Sequence, residues 1–143
     1  MTFYAQITIL CSMDGNRDIS EDLPLGGFAA AIGGYARKPL DLNELLVRNP
    51  PATFFARMSG DDMLGMNIGD GDILVVDRSA NPKDGDIVIF YLESEFLARR
   101  ISGIKEGKII LESDDGRGGK KTVSPRGNID IFGVVTASIR RFR

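Results

Sequence analysis

The chain has 143 residues, 43% of them hydrophobic, with 18 basic and 20 acidic side chains for a net charge of −2. That length accommodates one ordinary domain and a tail, and the mildly acidic balance lacks the basic footprint that duplex binding leaves. A single cysteine, Cys11, and the absence of histidine exclude an internal disulfide, a His-based triad, a His metal ligand and an imidazole pH switch. No apolar run approaches the ~20 residues of a membrane span. The apolar start, Met1 to Leu10, has no basic n-region of the kind a signal peptide carries. A cytoplasmic protein is therefore expected, and nothing in the composition implies a cofactor or a metal.

Thr2 to Leu10 reads as a short strand, and Cys11 to Leu23 is polar and charged with little periodicity. Gly26-Gly27-Phe28-Ala29-Ala30-Ala31-Ile32-Gly33-Gly34 follows, a stretch of small residues punctuated by glycine. Ordering such a segment costs much backbone entropy and buries little, so residues 1–40 are expected to form a flexible arm. Asp41 and Glu44 have capping-box spacing, and Leu42, Leu45 and Leu46 supply an apolar face, which predicts one short helix. Asn49-Pro50-Pro51 ends it, because proline cannot continue the hydrogen-bond ladder.

From Thr53 the period changes to that of strands. Thr53 to Met58, Ile73 to Asp77, Asp86 to Tyr91, Glu95 to Ile101, Lys108 to Glu112 and Ile129 to Ile139 are the predicted strands. Between them lie the turn clusters Gly69-Asp70-Gly71-Asp72, Asn81-Pro82-Lys83-Asp84-Gly85 and Asp114-Asp115-Gly116. Short strands at this spacing, separated by Gly/Asp turns, predict a mainly β fold in which residues 41–143 form one compact, curled β module. Val75-Val76 and Ile87-Val88-Ile89-Phe90 are continuously apolar, which suits strands buried on both faces. Arg140, Arg141 and Arg143 close the chain and read as protection of an edge strand, and Ile129 to Ile139 reads as an edge available for dimerisation.

Three strings carry more information than their turns alone. Ser59-Gly60-Asp61-Asp62-Met63 follows a strand and leads into Ile68-Gly69-Asp70-Gly71-Asp72; Gly85-Asp86-Ile87-Val88 comes next, then Glu95-Phe96-Leu97-Ala98-Arg99-Arg100-Ile101. Their order and separation resemble the LexA/UmuD family of self-cleaving serine peptidases, whose pattern is S-G-D-S-M, then G-D, then G-D-x-V, then a strand bearing a lysine. The resemblance is closest to the UmuD branch: Tyr35 to Leu46, Asn49 to Phe55 and Asp130 to Val135 all have counterparts there. A repressor of the LexA type carries a helix-turn-helix ahead of this module, whereas the residues before Asp41 lack helical periodicity, so sequence-specific DNA binding is not expected.

The resemblance implies a family chemistry in which an uncharged lysine takes a proton from a serine that attacks a peptide bond in the arm. It places that bond at Gly26-Gly27, where two readings stand: a scissile site, or a flexible hinge. It also places Asp62 at the serine position and Arg99 at the lysine position. A carboxylate is a weak nucleophile toward an amide, and a guanidinium stays protonated and cannot serve as a base. The expectation is that no catalytic residue is intact and that Asp62 and Arg99 form a charge-assisted pair, to which a bidentate geometry is open. Ser59, Lys105, Lys108 and the Asp61-Asp62 pair are poorly suited as substitutes. What the resemblance then implies is a catalytically degenerate, UmuD-like subunit of SOS mutagenesis and translesion synthesis. Its partners would be a second copy or an active UmuD, a UmuC-like Y-family polymerase and a RecA filament, with no membrane. The alternative is an active self-cleaving peptidase that is processed in the SOS response.

Overall fold

A computed structural model of the chain describes residues 6–12, 39–123 and 129–143. Among these residues eight strands form one antiparallel sheet: β1 (Ile7–Ser12), β2 (Thr53–Met58), β3 (Ile73–Asp77), β4 (Ile87–Leu92), β5 (Glu95–Lys105), β6 (Lys108–Ser113), β7 (Lys121–Val123) and β8 (Asp130–Ile139). Their order across the sheet is β1-β2-β3-β8-β4-β5-β6-β7. The mainly β, curled fold expected from the sequence is the fold observed. β1 draws on the segment read as the arm, while residues 13–38, with Gly26 and Gly27, lie outside the described residues.

The curl has a measurable consequence. Four strands separate β1 from β5, so in a flat sheet the two would stand roughly 24 Å apart at the usual strand spacing. Instead the side chain of Gln6, just ahead of β1, accepts a hydrogen bond from the Ala98 backbone N–H of β5 at 2.9 Å. The sheet has closed into a half-barrel. Register shifts at Ile9/Cys11, Val75/Val76, Ile89/Phe90 and Ile101/Gly103 interrupt four of its pairings, and such bulges bend a strand and tighten its twist.

Strand alternation sends side chains to two apolar clusters. Ile7, Ala56, Met58, Met63, Leu74, Val76, Ile89 and Ala98 fill the first; Val88, Phe90, Ile101, Leu111 and Val134 fill the second. Ile89 and its neighbours Val88 and Phe90 thus enter different clusters, which is why the apolar run of β4 shows no polar face. At one end of the first cluster Phe54, Phe132, Phe96 and Tyr91 meet edge to face in a row, with centroids 5.1–5.4 Å apart.

Three expectations need correction. β8 is an edge over only part of its length: β3 pairs with it from Val134 to Ile139 and β4 from Asp130 to Val135, so both flanks are taken around Val134 and Val135. Gly133 fits this interior position because a Cβ there would lie 2.7 Å from Val76 Cγ1. The helix α1 (Leu42–Leu46) is capped as expected, with Asp41 Oδ1 accepting from Asn43 N at 2.9 Å, but Leu42 and Leu45 stay exposed. Five residues make little more than one turn, too short to lay an apolar stripe on the sheet. Finally, β7 has no counterpart among the predicted strands, since three residues are too few to display alternation.

Candidate functional site

The loop leaving β2 is fixed by its neighbours before any chemistry is considered. Gly60 takes φ +90°, a region open to glycine, and its N–H donates to Asp70 Oδ1 at 2.8 Å. Ser59 N donates to the Gln6 carbonyl at 2.8 Å, and Leu64 N closes the turn on the Asp61 carbonyl at 3.0 Å. Met63 is fully buried in the first cluster and anchors the loop's far end. Asp62 therefore projects from a short loop pinned on both sides.

The Gly69-Asp70-Gly71-Asp72 turn supplies much of that pinning. Gly71 N donates to the Met58 carbonyl at 2.8 Å, and Met58 N donates to the Asp72 carbonyl at 2.9 Å. The Asp72 carboxylate is buried and accepts from Gly69 N at 2.8 Å. Arg140, just past β8, grips it with Nε on Oδ1 and Nη2 on Oδ2, both at 2.9 Å. The Arg140 hydrogen bonds hold the Asp72 carboxyl below the ordinary carboxylate range, against an opposing push from burial. Of the three arginines read as edge protection, Arg140 is thus a strut, itself exposed but bound to a buried carboxylate, which no local signal announced because its partner lies 68 positions away.

Across from Asp62 stands Arg99 on β5. Their closest approach is 4.0 Å, from Arg99 Nη2 to Asp62 Oδ2, with Arg99 19% exposed and Asp62 63% exposed. The charge-assisted pair expected from the sequence is present only as this long ion pair, without the direct bidentate contact open to it. Gln6 lies between the two instead: its Nε2 donates to Asp62 Oδ2 at 3.0 Å, and its Oε1 accepts from Arg99 Nη1 at 3.0 Å. Arg99 Nη1 also donates to the Ala98 carbonyl at 2.7 Å. Burial pushes the Arg99 guanidinium below its usual value, and Asp62 draws it partly back, yet a guanidinium starts so far above neutrality that it stays charged. Sequence reasoning missed Gln6, a lone amide in an undistinguished stretch.

The remaining candidates are elsewhere or otherwise engaged. Lys105 and Lys108 face each other across the β5–β6 hairpin turn, away from Arg99 along the strand. On the next position of β5, Arg100 pairs with the buried Glu112, which Lys120 also approaches. Among the described residues no group of three acidic or thiol side chains is placed to hold a metal ion, and no helix is long and apolar enough to cross a membrane.

With this geometry in view, the comparisons are specific. The family profile described as Peptidase S24-like matches residues 19–136. The chain is 39% identical over 127 residues to protein ImpA of Salmonella typhimurium, covering 89% of this chain and 86% of that one. Protein SamA of Salmonella typhimurium is 38% identical over 117 residues, 82% of this chain and 80% of its own length. Protein MucA of Salmonella typhimurium is 44% identical over 75 residues, about half of each chain.

Two predictions follow from the site. The ion pair from Asp62 to Arg99 is long and exposed at its carboxylate, so Asp62→Asn, which keeps an acceptor for Gln6 Nε2, should change the unfolding free energy by no more than about 0.5 kcal/mol. Arg99→Met removes bonds at a half-buried group and should cost about 1–2 kcal/mol in urea denaturation; equal costs for the two would contradict the asymmetry. For Asp72 the folded carboxyl titrates below its unfolded value. Its stabilisation is complete above the unfolded value of about 3.9 and is lost as pH falls through the lower folded one. Urea midpoints measured between about pH 5 and pH 2 should therefore fall less steeply in Arg140→Met than in the parent chain.

Proposed function

The chain belongs to the Peptidase S24-like family, in its UmuD-like branch, and on that premise we propose that it is a subunit of SOS mutagenesis that has lost self-cleavage and acts by binding other proteins. The observation that carries this reading is the Asp62–Gln6–Arg99 bridge, standing where the resemblance puts a serine and a lysine. Nucleophilic attack needs a hydroxyl that a neighbouring base can deprotonate. Asp62 has no such hydroxyl. Arg99 cannot accept a proton, and its Nη1 is already committed to two carbonyl oxygens.

Nor does a neighbour take over. Ser59 is held through its backbone against Gln6, and the family pattern contains a serine at that position besides the catalytic one. The loop and turn that present position 62 are held by bonds that do not involve its side chain, which supports reading the change as one of side chains on a kept scaffold. A scaffold kept without its chemistry is suited to recognition.

The partners that the family suggests are a second copy of this chain or an active UmuD, a UmuC-like polymerase and a RecA filament. β4 pairs with β8 only as far as Val135, so the stretch beyond it keeps one flank on which a second copy could pair. Gly26-Gly27 then becomes a site for an intact relative to cut in trans, or a hinge in an arm that is retained. The family match alone favours the second reading, an active self-cleaving peptidase.

One incubation separates them. The purified full chain, held at alkaline pH with and without a RecA–single-stranded DNA filament, is expected to keep its full mass. A product beginning at Gly27 that forms at a rate independent of chain concentration would overturn the proposal.

A further inference from the structure

Gln6 satisfies every element around the site at once. Its backbone carbonyl accepts from Ser59 N at 2.8 Å. Its Oε1 accepts from Ala98 N at 2.9 Å and from Arg99 Nη1 at 3.0 Å, while its Nε2 donates to Asp62 Oδ2 at 3.0 Å. The residue is 6% exposed. Two donors converge on one end of the amide and a carboxylate meets the other, so the flipped orientation would set NH₂ against N–H and carbonyl against carboxylate. The amide is polarised to match a donor at position 99 and an acceptor at position 62.

We propose that Gln6 is the positioning residue of this site, an amide that fixes the distance between positions 62 and 99 and holds whatever cation stands at 99 as a hydrogen-bonded, charged group. This rests on the reading of Asp62 and Arg99 as the substituted dyad positions. A hydrogen bond to the charged form of a base favours that form. A general base must be free of its proton before it can act. A lysine restored at position 99 would meet the Gln6 carbonyl in the place Arg99 now occupies and would keep its proton. Reinstating serine and lysine is then insufficient: Gln6 decides whether the pair can work.

The other acceptor at Arg99 Nη1 is the Ala98 backbone carbonyl, which no side-chain substitution removes, so Gln6 is the neighbour that can be varied. Asp62 is the charge acting on Arg99 among the described residues. Its cross-strand partner on β4, Val88, is apolar. On β6 the carboxylate Glu112 is engaged by Arg100 and Lys120. Replacing Asp62 by serine thus removes the opposing charge and leaves the amide as the polar contact from β1.

The test compares the full chain carrying Asp62→Ser and Arg99→Lys with the same chain also carrying Gln6→Met, a substitution that keeps the side chain's length without its hydrogen bonds. The side-chain carbon resonance of the new lysine, absent from the parent, is titrated by NMR. The expected result is a titration midpoint lower by about one unit when Gln6 is replaced. Any product beginning at Gly27 is also expected to form faster in that variant. Should Gln6→Met not fold, Gln6→Asn, whose amide falls short of Arg99, gives the same readout. A lowered midpoint supports the proposal even if neither variant cleaves, because it reports Gln6 acting directly on position 99. An unchanged midpoint in a folded variant overturns it. Cleavage by the parent chain would contradict the substituted-dyad reading instead, and the lysine titration would still decide the role of Gln6.

Discussion

The hydrogen bond from Ala98 N to the Gln6 side chain joins strands that lie at positions one and six in the order of the sheet. Around it the half-barrel closes, the loop bearing Asp62 is drawn toward β5, and Arg99 is brought under cover. A buried amide that forms all its bonds contributes only about 1 kcal/mol per bond, but one left unsatisfied costs about 1–3 kcal/mol. Gln6 therefore acts less as a source of stability than as a condition on the geometry: the seam must close in the one arrangement that pairs each of its atoms.

The second constraint is the Gly69–Asp72 turn. Asp72 is buried and charged, a combination that requires a partner, and Arg140 supplies one from beyond β8. Through this contact the end of β8 and the turn are locked to the end of β2. Asp70 then reaches Gly60, and the loop is set. None of these bonds involves the side chain at position 62. The framework can keep its shape while that residue changes, which explains how a family fold accommodates a carboxylate where the resemblance expects a nucleophile.

Much of this was readable in the sequence, for identifiable reasons. β2 and β3 have the bounds expected, because alternation and flanking turns mark them, and the Gly-Asp strings identified the loop that presents Asp62. Periodicity reports which faces of a strand are buried but not which strands flank it. Ile129 to Ile139 is therefore recognisable as a strand, but not where along it β3 and β4 take up its two flanks. Arg140 reads as an unpaired surface charge because the buried carboxylate it grips is distant in sequence. Gln6 carried no pattern of its own. Its meaning comes from a curl that brings β1 to β5, a non-local event that single residues do not encode.

The central claim is that Gln6 and Arg99 act as one hydrogen-bonded unit. It is tested most directly by a double-mutant cycle in which Gln6→Met, Arg99→Met and the combined variant are unfolded in urea. The account predicts a coupling energy of about 1 kcal/mol or more, with the second substitution costing less once the first is present. Additive costs, agreeing within about 0.3 kcal/mol, would contradict it.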